Sequence, residues 1–155
     1  RREKLYAYPF RGYWKDVGNL ESFHQAHMDL LADPPAFKLQ DPAWPVYASL
    51  PGSRPAVCPA GGRSLISRES SVFGELDGAV IFPNVYLGKN SRVINSVIMT
   101  GAYIGPAAYV EQAIIGPGAV VENGCAIRGG TGKNSPVAIV GENTVRLPAR
   151  MQVGG

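Results

Sequence analysis

Val80-Ile81-Phe82-Pro83-Asn84-Val85-Tyr86-Leu87-Gly88 decides the fold, because its pattern returns twice at an interval of seventeen residues. It aligns with Val97-Ile98-Met99-Thr100-Gly101-Ala102-Tyr103-Ile104-Gly105, and then with Ile114-Ile115-Gly116-Pro117-Gly118-Ala119-Val120-Val121-Glu122. Within each period the aliphatic positions step by five or six residues: Leu87, Val93, Ile98, Ile104, Val110, Ile115, Val121, Ile127. Three short flat strands and three tight corners make one triangular coil, so each face must send one aliphatic side chain inward while small residues take the corners. That is the spacing of a hexapeptide-repeat solenoid, a mainly β fold. Gly88, Gly101, Gly105, Gly118 and Gly124 are expected at the corners. The aliphatic repeat itself is structural and implies no chemistry.

Working outward, the register is irregular near Leu65-Ile66, settles by Ala79, and breaks after Ile127 at Gly129-Gly130-Thr131-Gly132-Lys133-Asn134-Ser135. It resumes at Ile139-Val140-Gly141-Glu142-Asn143-Thr144-Val145. The break is expected to be a loop inserted at a corner, since loop-closure cost grows only slowly with length. Its Gly132-Lys133 pair does not make a phosphate loop: Ile127 stands where the first glycine is needed, and Asn134 where serine or threonine is.

Before the solenoid, residues 34–64 are rich in proline (Pro42, Pro45, Pro51, Pro55, Pro59) and predict an extended connector rather than an element, pinned by Trp44, Val46 and Tyr47. Earlier still, Asn19 is placed to cap a helix with Glu21 in its first turn, and Asp33-Pro34-Pro35 stops it. Leu20, Phe23, His27, Leu30 and Leu31 fall on one face of that helix. Leu5 to Phe10 alternates tyrosines with smaller residues and predicts a short strand.

Composition narrows the function classes. The chain has 155 residues, 45% of them hydrophobic, enough for one globular core. A net charge of +3 with scattered lysine and arginine offers no footprint for nucleic acid or an acidic membrane surface, and no apolar run is long enough to span a bilayer. Cys58 and Cys125 lack metal-type spacing and suit a reducing compartment, so a cytoplasmic protein is expected. The opening Arg1-Arg2-Glu3-Lys4 reads as the start of a piece of a longer protein.

Few residues are candidates for chemistry. Solenoid acyltransferases use a coil histidine as general base, whereas His24 and His27 both lie on the N-terminal helix and the coils hold none, which argues against acyl transfer by this chain alone. The two histidines are three apart with no evident carboxylate partner, so a helix-face role describes them better than a metal site. The segment Gly12 to Gly18 is different: Asp16, flanked by Lys15 and by glycines ahead of a helix, can hold a hard cation near a phosphate, or can simply form a turn.

Phe10-Arg11-Gly12-Tyr13-Trp14-Lys15-Asp16-Val17-Gly18, then Met28-Asp29-Leu30-Leu31, a proline-rich connector and hexapeptide coils together resemble the C-terminal part of bacterial ADP-glucose pyrophosphorylase, also called glucose-1-phosphate adenylyltransferase. The resemblance covers nearly the whole chain. It implies a left-handed parallel β-helix, an exception to the usual right-handed crossover, preceded by the last strand and helix of an α/β nucleotidyltransferase domain. The implied division is a catalytic-domain remnant at 1–33, the connector at 34–64, the β-helix at 65–147 and a tail at 148–155. It also implies an allosteric enzyme of glycogen or starch synthesis that makes ADP-glucose and pyrophosphate from ATP and glucose 1-phosphate, with Mg2+ as cofactor. Asp16 then matches the metal-binding aspartate, paired with a carboxylate outside this chain, while Trp14 and Tyr13 are wall and support. Asn19 stands where many relatives have threonine.

No complete catalytic set and no nucleotide-binding loop is present in these residues, so the fragment alone is expected to be inactive. ATP and glucose 1-phosphate would be bound by the missing domain. A homo-oligomer, or a hetero-oligomer with a paralogue, is the expected assembly. Two alternatives share this plan: a noncatalytic regulatory paralogue subunit, against which an intact Asp16 counts, and another sugar-nucleotide transferase such as a mannose-1-phosphate guanylyltransferase.

Overall fold

In the computed structural model, residues 3–37, 39, 43, 55–57, 63–67, 69–130 and 135–146 are described. They form a mainly β chain, a left-handed parallel β-helix of about four turns with one short helix. Three sheets make the three faces. The first holds Pro55–Val57, Leu65–Ser67, Val80–Ile81, Val97–Ile98, Ala113–Ile115 and Ala138–Val140; the second Ser71–Val72, Tyr86–Leu87, Tyr103–Ile104, Val120–Val121 and Val145–Arg146; the third Glu75–Asp77, Arg92–Ile94, Tyr109–Glu111 and Ala126–Arg128. Every pairing between coils is parallel.

The seventeen-residue interval is the hydrogen-bonded register. Ile81 pairs with Ile98 and Ile98 with Ile115 on the first face, Leu87 with Ile104 and Ile104 with Val121 on the second, Val93 with Val110 and Val110 with Ile127 on the third. The irregular start is a coil two residues shorter, since Ile66 pairs with Ile81. The break after Ile127 adds eight residues, since Ile115 pairs with Val140. Gly130 N–H donates to the Pro136 carbonyl at 2.8 Å, closing the neck of that insertion. Lys133 lies outside the described residues.

Leu87, Val93, Ile98, Ile104, Val110, Ile115 and Val121 are fully enclosed, as the alternation requires when a flat strand sends one side chain inward. Ile127 is only half-buried, because its strand is the last of the third sheet and no further strand stacks on it on that face among the described residues.

The corners are left-handed backbone columns. Gly78, Asn95 and Gln112 stack at one corner, Asn84, Gly101, Gly118 and Asn143 at the next, and Asn90, Ala107 and Gly124 at the third, all with positive φ. Asparagine and glycine adopt this conformation at least cost. In most of them the N–H donates to the coil beneath, as from Gly101 to the Pro83 carbonyl (3.1 Å) and from Gly124 to that of Pro106 (2.9 Å). Gly88 and Gly105, also expected at corners, serve another purpose: a Cβ there would meet backbone atoms of the next coil at 2.5 Å and 2.7 Å.

Two expectations before the solenoid change. Leu5 to Phe10 forms no strand: its side chains are exposed and no neighbouring strand among the described residues supplies a ladder, without which a lone strand has no stability. In the proline-rich segment, Pro55–Val57 does form a strand, antiparallel to Leu65–Ser67 at the sheet edge where proline's missing donor is tolerated. Trp44, Val46 and Tyr47 lie outside the described residues, as does Cys58.

The helix, α1, runs Leu20–Asp29. Asn19 caps it: its Oδ1 accepts from Ser22 N–H at 2.7 Å while Ser22 Oγ accepts from Asn19 N–H at 3.2 Å. The helix lies against the outward side of the first face, with Phe23 and Met28 packed on Val97, Ile114 and Val137. Its docked side is therefore turned from the expected stripe. His24 is buried, and Leu20 is 47% exposed.

Candidate functional site

The segment Gly12 to Gly18 runs without regular structure into the Asn19 cap, and it is organised by alternation. Tyr13, Lys15 and Val17 all line one shallow cavity of about 220 Å³ against Ala26, His27 and Leu30 of α1 and Phe37 beyond it. The even-numbered Trp14 and Asp16 do not line it; Trp14 is 76% exposed, against 38% for Tyr13 and 49% for Val17.

Asp29, the last residue of α1, holds the odd-numbered side in place. Its Oδ2 accepts from Tyr13 Oη at 2.8 Å and from Lys15 Nζ at 2.5 Å, and its Oδ1 from Gln25 Nε2 at 2.9 Å. The Lys15–Asp29 ion pair is partly buried on both sides. Burial pushes the Asp29 pKa up, but the hydrogen bonds from Lys15, Gln25 and Tyr13 and the Lys15 charge overcome it, leaving the carboxyl below its usual value. The Tyr13 phenol is raised by burial, by its bond to Asp29 and by the Asp29 charge. The Tyr13 ring stacks on Phe37 at 5.2 Å.

Asp16 is the opposite of Asp29. Its carboxylate has no partner among the described residues, and it belongs to no group of three or more metal-type ligands there. An uncommitted, exposed carboxylate fits one position in the shell of Mg2+, which typically takes one or two carboxylates and completes itself with water and substrate phosphates. Asp29, by contrast, is engaged by three donors of this chain.

The histidines fasten the helix. His24 Nε2–H donates to the Asn95 carbonyl at 2.7 Å, at a left-handed corner of the solenoid. His27 Nδ1–H donates to the Phe23 carbonyl at 2.8 Å, and its ring lies 4.4 Å from that of Phe23 and 5.7 Å from that of Phe82. Burial lowers the His24 pKa below the ordinary imidazole value; the Asn95 bond opposes this and His27 adds to it.

The sequence pointed to the Gly12 to Gly18 segment and to Asp16 but missed Asp29 and the His24–Asn95 bond. The alternation of residues 13, 15 and 17 was available as a signal. Nothing local marks partners fourteen, sixteen or seventy-one residues apart.

Fold and site together define a hexapeptide-type β-helix domain carrying a motif loop and helix on one face. The family model of the GMPPB C-terminal domain matches residues 65–151, and the chain belongs to that family. Among curated relatives, a glucose-1-phosphate adenylyltransferase of Desulforamulus reducens is 40% identical over 136 residues, covering 86% of this chain and 34% of the relative. One of Bacillus cytotoxicus is 41% identical over 140 residues, 88% of this chain and 37% of the relative. One of Acetivibrio thermocellus is 32% identical over 165 aligned positions, 97% of this chain and 38% of the relative. The chain thus spans little more than a third of the length of the curated relatives it matches.

Proposed function

We propose that this chain is the C-terminal regulatory and assembly portion of a glucose-1-phosphate adenylyltransferase, which makes ADP-glucose and pyrophosphate from ATP and glucose 1-phosphate. The observation that carries this is one of extent. The similarity to adenylyltransferases runs over as much as 97% of the chain, far enough to include the Gly12 to Gly18 loop and α1 as well as the solenoid. The GMPPB family match by itself is compatible with a guanylyltransferase, but it covers only residues 65–151. In the proposed division, residues 1–33 complete a nucleotidyltransferase domain, 34–64 connect, 65–147 form the β-helix and 148–155 a tail. The two cysteines without metal or disulfide pattern support a cytoplasmic location.

In the reaction, a phosphate oxygen of glucose 1-phosphate attacks the α-phosphorus of ATP and pyrophosphate leaves. Bound Mg2+ would neutralise charge developing on the phosphate oxygens. Asp16 would hold it, together with a carboxylate from outside this chain. Tyr13 and Lys15 face α1 and contribute support rather than chemistry.

Asp16→Asn in the full-length enzyme tests this. Losing a charged ligand where transition-state charge develops is expected to lower kcat by about a hundredfold to a thousandfold, about 3 kcal/mol, with the circular dichroism spectrum unchanged. A wild-type rate at every Mg2+ concentration would refute the role. Turnover of GTP with mannose 1-phosphate in place of ATP with glucose 1-phosphate would move the protein to the guanylyltransferase alternative.

A further inference from the structure

We infer that Asp29 is a positioning residue for Asp16: by gripping Tyr13 and Lys15 it fixes which side of the motif loop faces the helix, and so presents Asp16 outward. The inference rests on the proposed role of Asp16 in holding Mg2+.

The geometry follows from the two-residue period of an extended backbone, in which successive side chains point to opposite sides. Residues 13, 15 and 17 share the cavity beside α1. Two of them are bound to one oxygen of one carboxylate, at 2.8 Å and 2.5 Å. A slip of the loop by one residue would require both bonds to break, and it would turn Asp16 toward Ala26 and Leu30. Gln25 and the helix backbone hold the Asp29 side chain, so the grip is anchored in a rigid element. That element is fastened in turn to the solenoid by His24 and Asn95. Asp29 is therefore spent on orientation, while Asp16 is left uncommitted for a ligand.

The test uses the full-length protein and five variants: Asp29→Asn, Tyr13→Phe, Asp16→Asn, Lys15→Glu alone, and the charge swap that combines Lys15→Glu with Asp29→Lys. Two quantities are read besides kcat and KM: the Mg2+ concentration giving half-maximal rate, and the calorimetric affinity for ADP-glucose with and without Mg2+. Asp29→Asn is expected to raise the Mg2+ requirement, and to weaken the Mg2+-dependent part of ADP-glucose binding, by about tenfold, the scale of a hydrogen bond to a charged group. Its Mg2+-independent binding should not change. Tyr13→Phe keeps the ring on Phe37 and loses one bond, so it should shift both readings the same way by a smaller factor. The charge swap should recover part of the loss relative to Lys15→Glu alone. Should Asp29→Asn fail to fold, Tyr13→Phe and the swap decide. Wild-type Mg2+ dependence in the Asp29 and Tyr13 variants, with Asp16→Asn inactive, overturns this inference and leaves the proposed role of Asp16 standing. Wild-type behaviour of Asp16→Asn overturns both.

Discussion

His24 sits where α1 meets the solenoid, donating to a corner carbonyl from a nearly closed environment. Among the described residues its titratable neighbour is His27 on the same helix, and the solenoid offers it the uncharged Asn95 carbonyl. A ring that takes up a proton less readily in the native state than at the unfolded value of about 6.5 gives a definite sign. Above that pH neither state is charged and the docking is fully stable. As pH falls through 6.5 toward the lowered native value, the unfolded or undocked chain binds a proton that the docked one refuses, and stability declines by up to about 1.4 kcal/mol per pH unit. Hydrogen exchange of the α1 amides, corrected for intrinsic rates, should therefore report weakening protection from pH 7.5 to 5.5. His24→Gln, which retains a donor but cannot charge, should flatten that slope. Equal slopes in the two proteins would show that the proton goes elsewhere.

At the scale of the element, the coils depend on two kinds of small residue. Gly105 is needed for space, since a methyl there meets Asn123 N at 2.7 Å and the Glu122 carbonyl carbon at 2.9 Å, both in the next coil's backbone. Gly124 is needed for conformation only: its φ is +67° and nothing lies within 4 Å of an added Cβ. Ala107, in the same corner column, already tolerates φ 56°. Gly124→Ala is thus expected to cost about 1 kcal/mol. Gly105→Ala must force coils apart and should cost clearly more, about 2 to 3 kcal/mol on the scale of overpacked cores. Urea unfolding of the two variants compares them directly, and equal costs would refute the distinction. This difference was hidden in the sequence, where both are simply glycines near corners. The inward columns were legible because burial leaves a seventeen-residue imprint that no other force erases, from Leu87 through Val121. Ile127 departed because exposure at a solenoid's end depends on what stacks next, not on the repeat. The docked side of α1 departed because His24 finds a carbonyl partner that hydrophobic periodicity cannot anticipate. Asp16 stands out in the sequence as a candidate through its motif, and its metal-holding role is a proposal, whereas the bond of Asp29 to Tyr13 forms only when the chain folds back sixteen residues.

For the whole molecule, the three faces are unequal, and that inequality bears on assembly. Helix α1 covers the outward side of the first face through Phe23, Met28 and their contacts with Val97 and Ile114. The third carries charge: Arg92 pairs with Glu75 at 3.5 Å, and Arg128 lies over the Tyr109 ring at 4.6 Å while Tyr109 Oη donates to Glu111. The second face is largely apolar, apart from the exposed Ser71 and Arg146 in its two terminal strands. Tyr86 and Tyr103 stack at 5.0 Å, Phe73 leans on Tyr86, Val120 continues the column, and Phe73 and Val145 are 56% and 54% exposed. Contiguous exposed apolar surface of this kind marks association sites, and a stacked solenoid adds open ends that need covering. Self-association of the full-length protein is therefore expected to use the solenoid, chiefly its second face. Two changes separate this from cover supplied within one subunit. Removing the residues after Leu65 should reduce the mass measured by light scattering to that of a monomer. Tyr86→Lys with Tyr103→Lys, which keeps the coils and charges only the outer column, should shift the mass the same way. If the oligomer keeps its mass in both variants, the solenoid supports its own subunit and the contacts between subunits lie elsewhere.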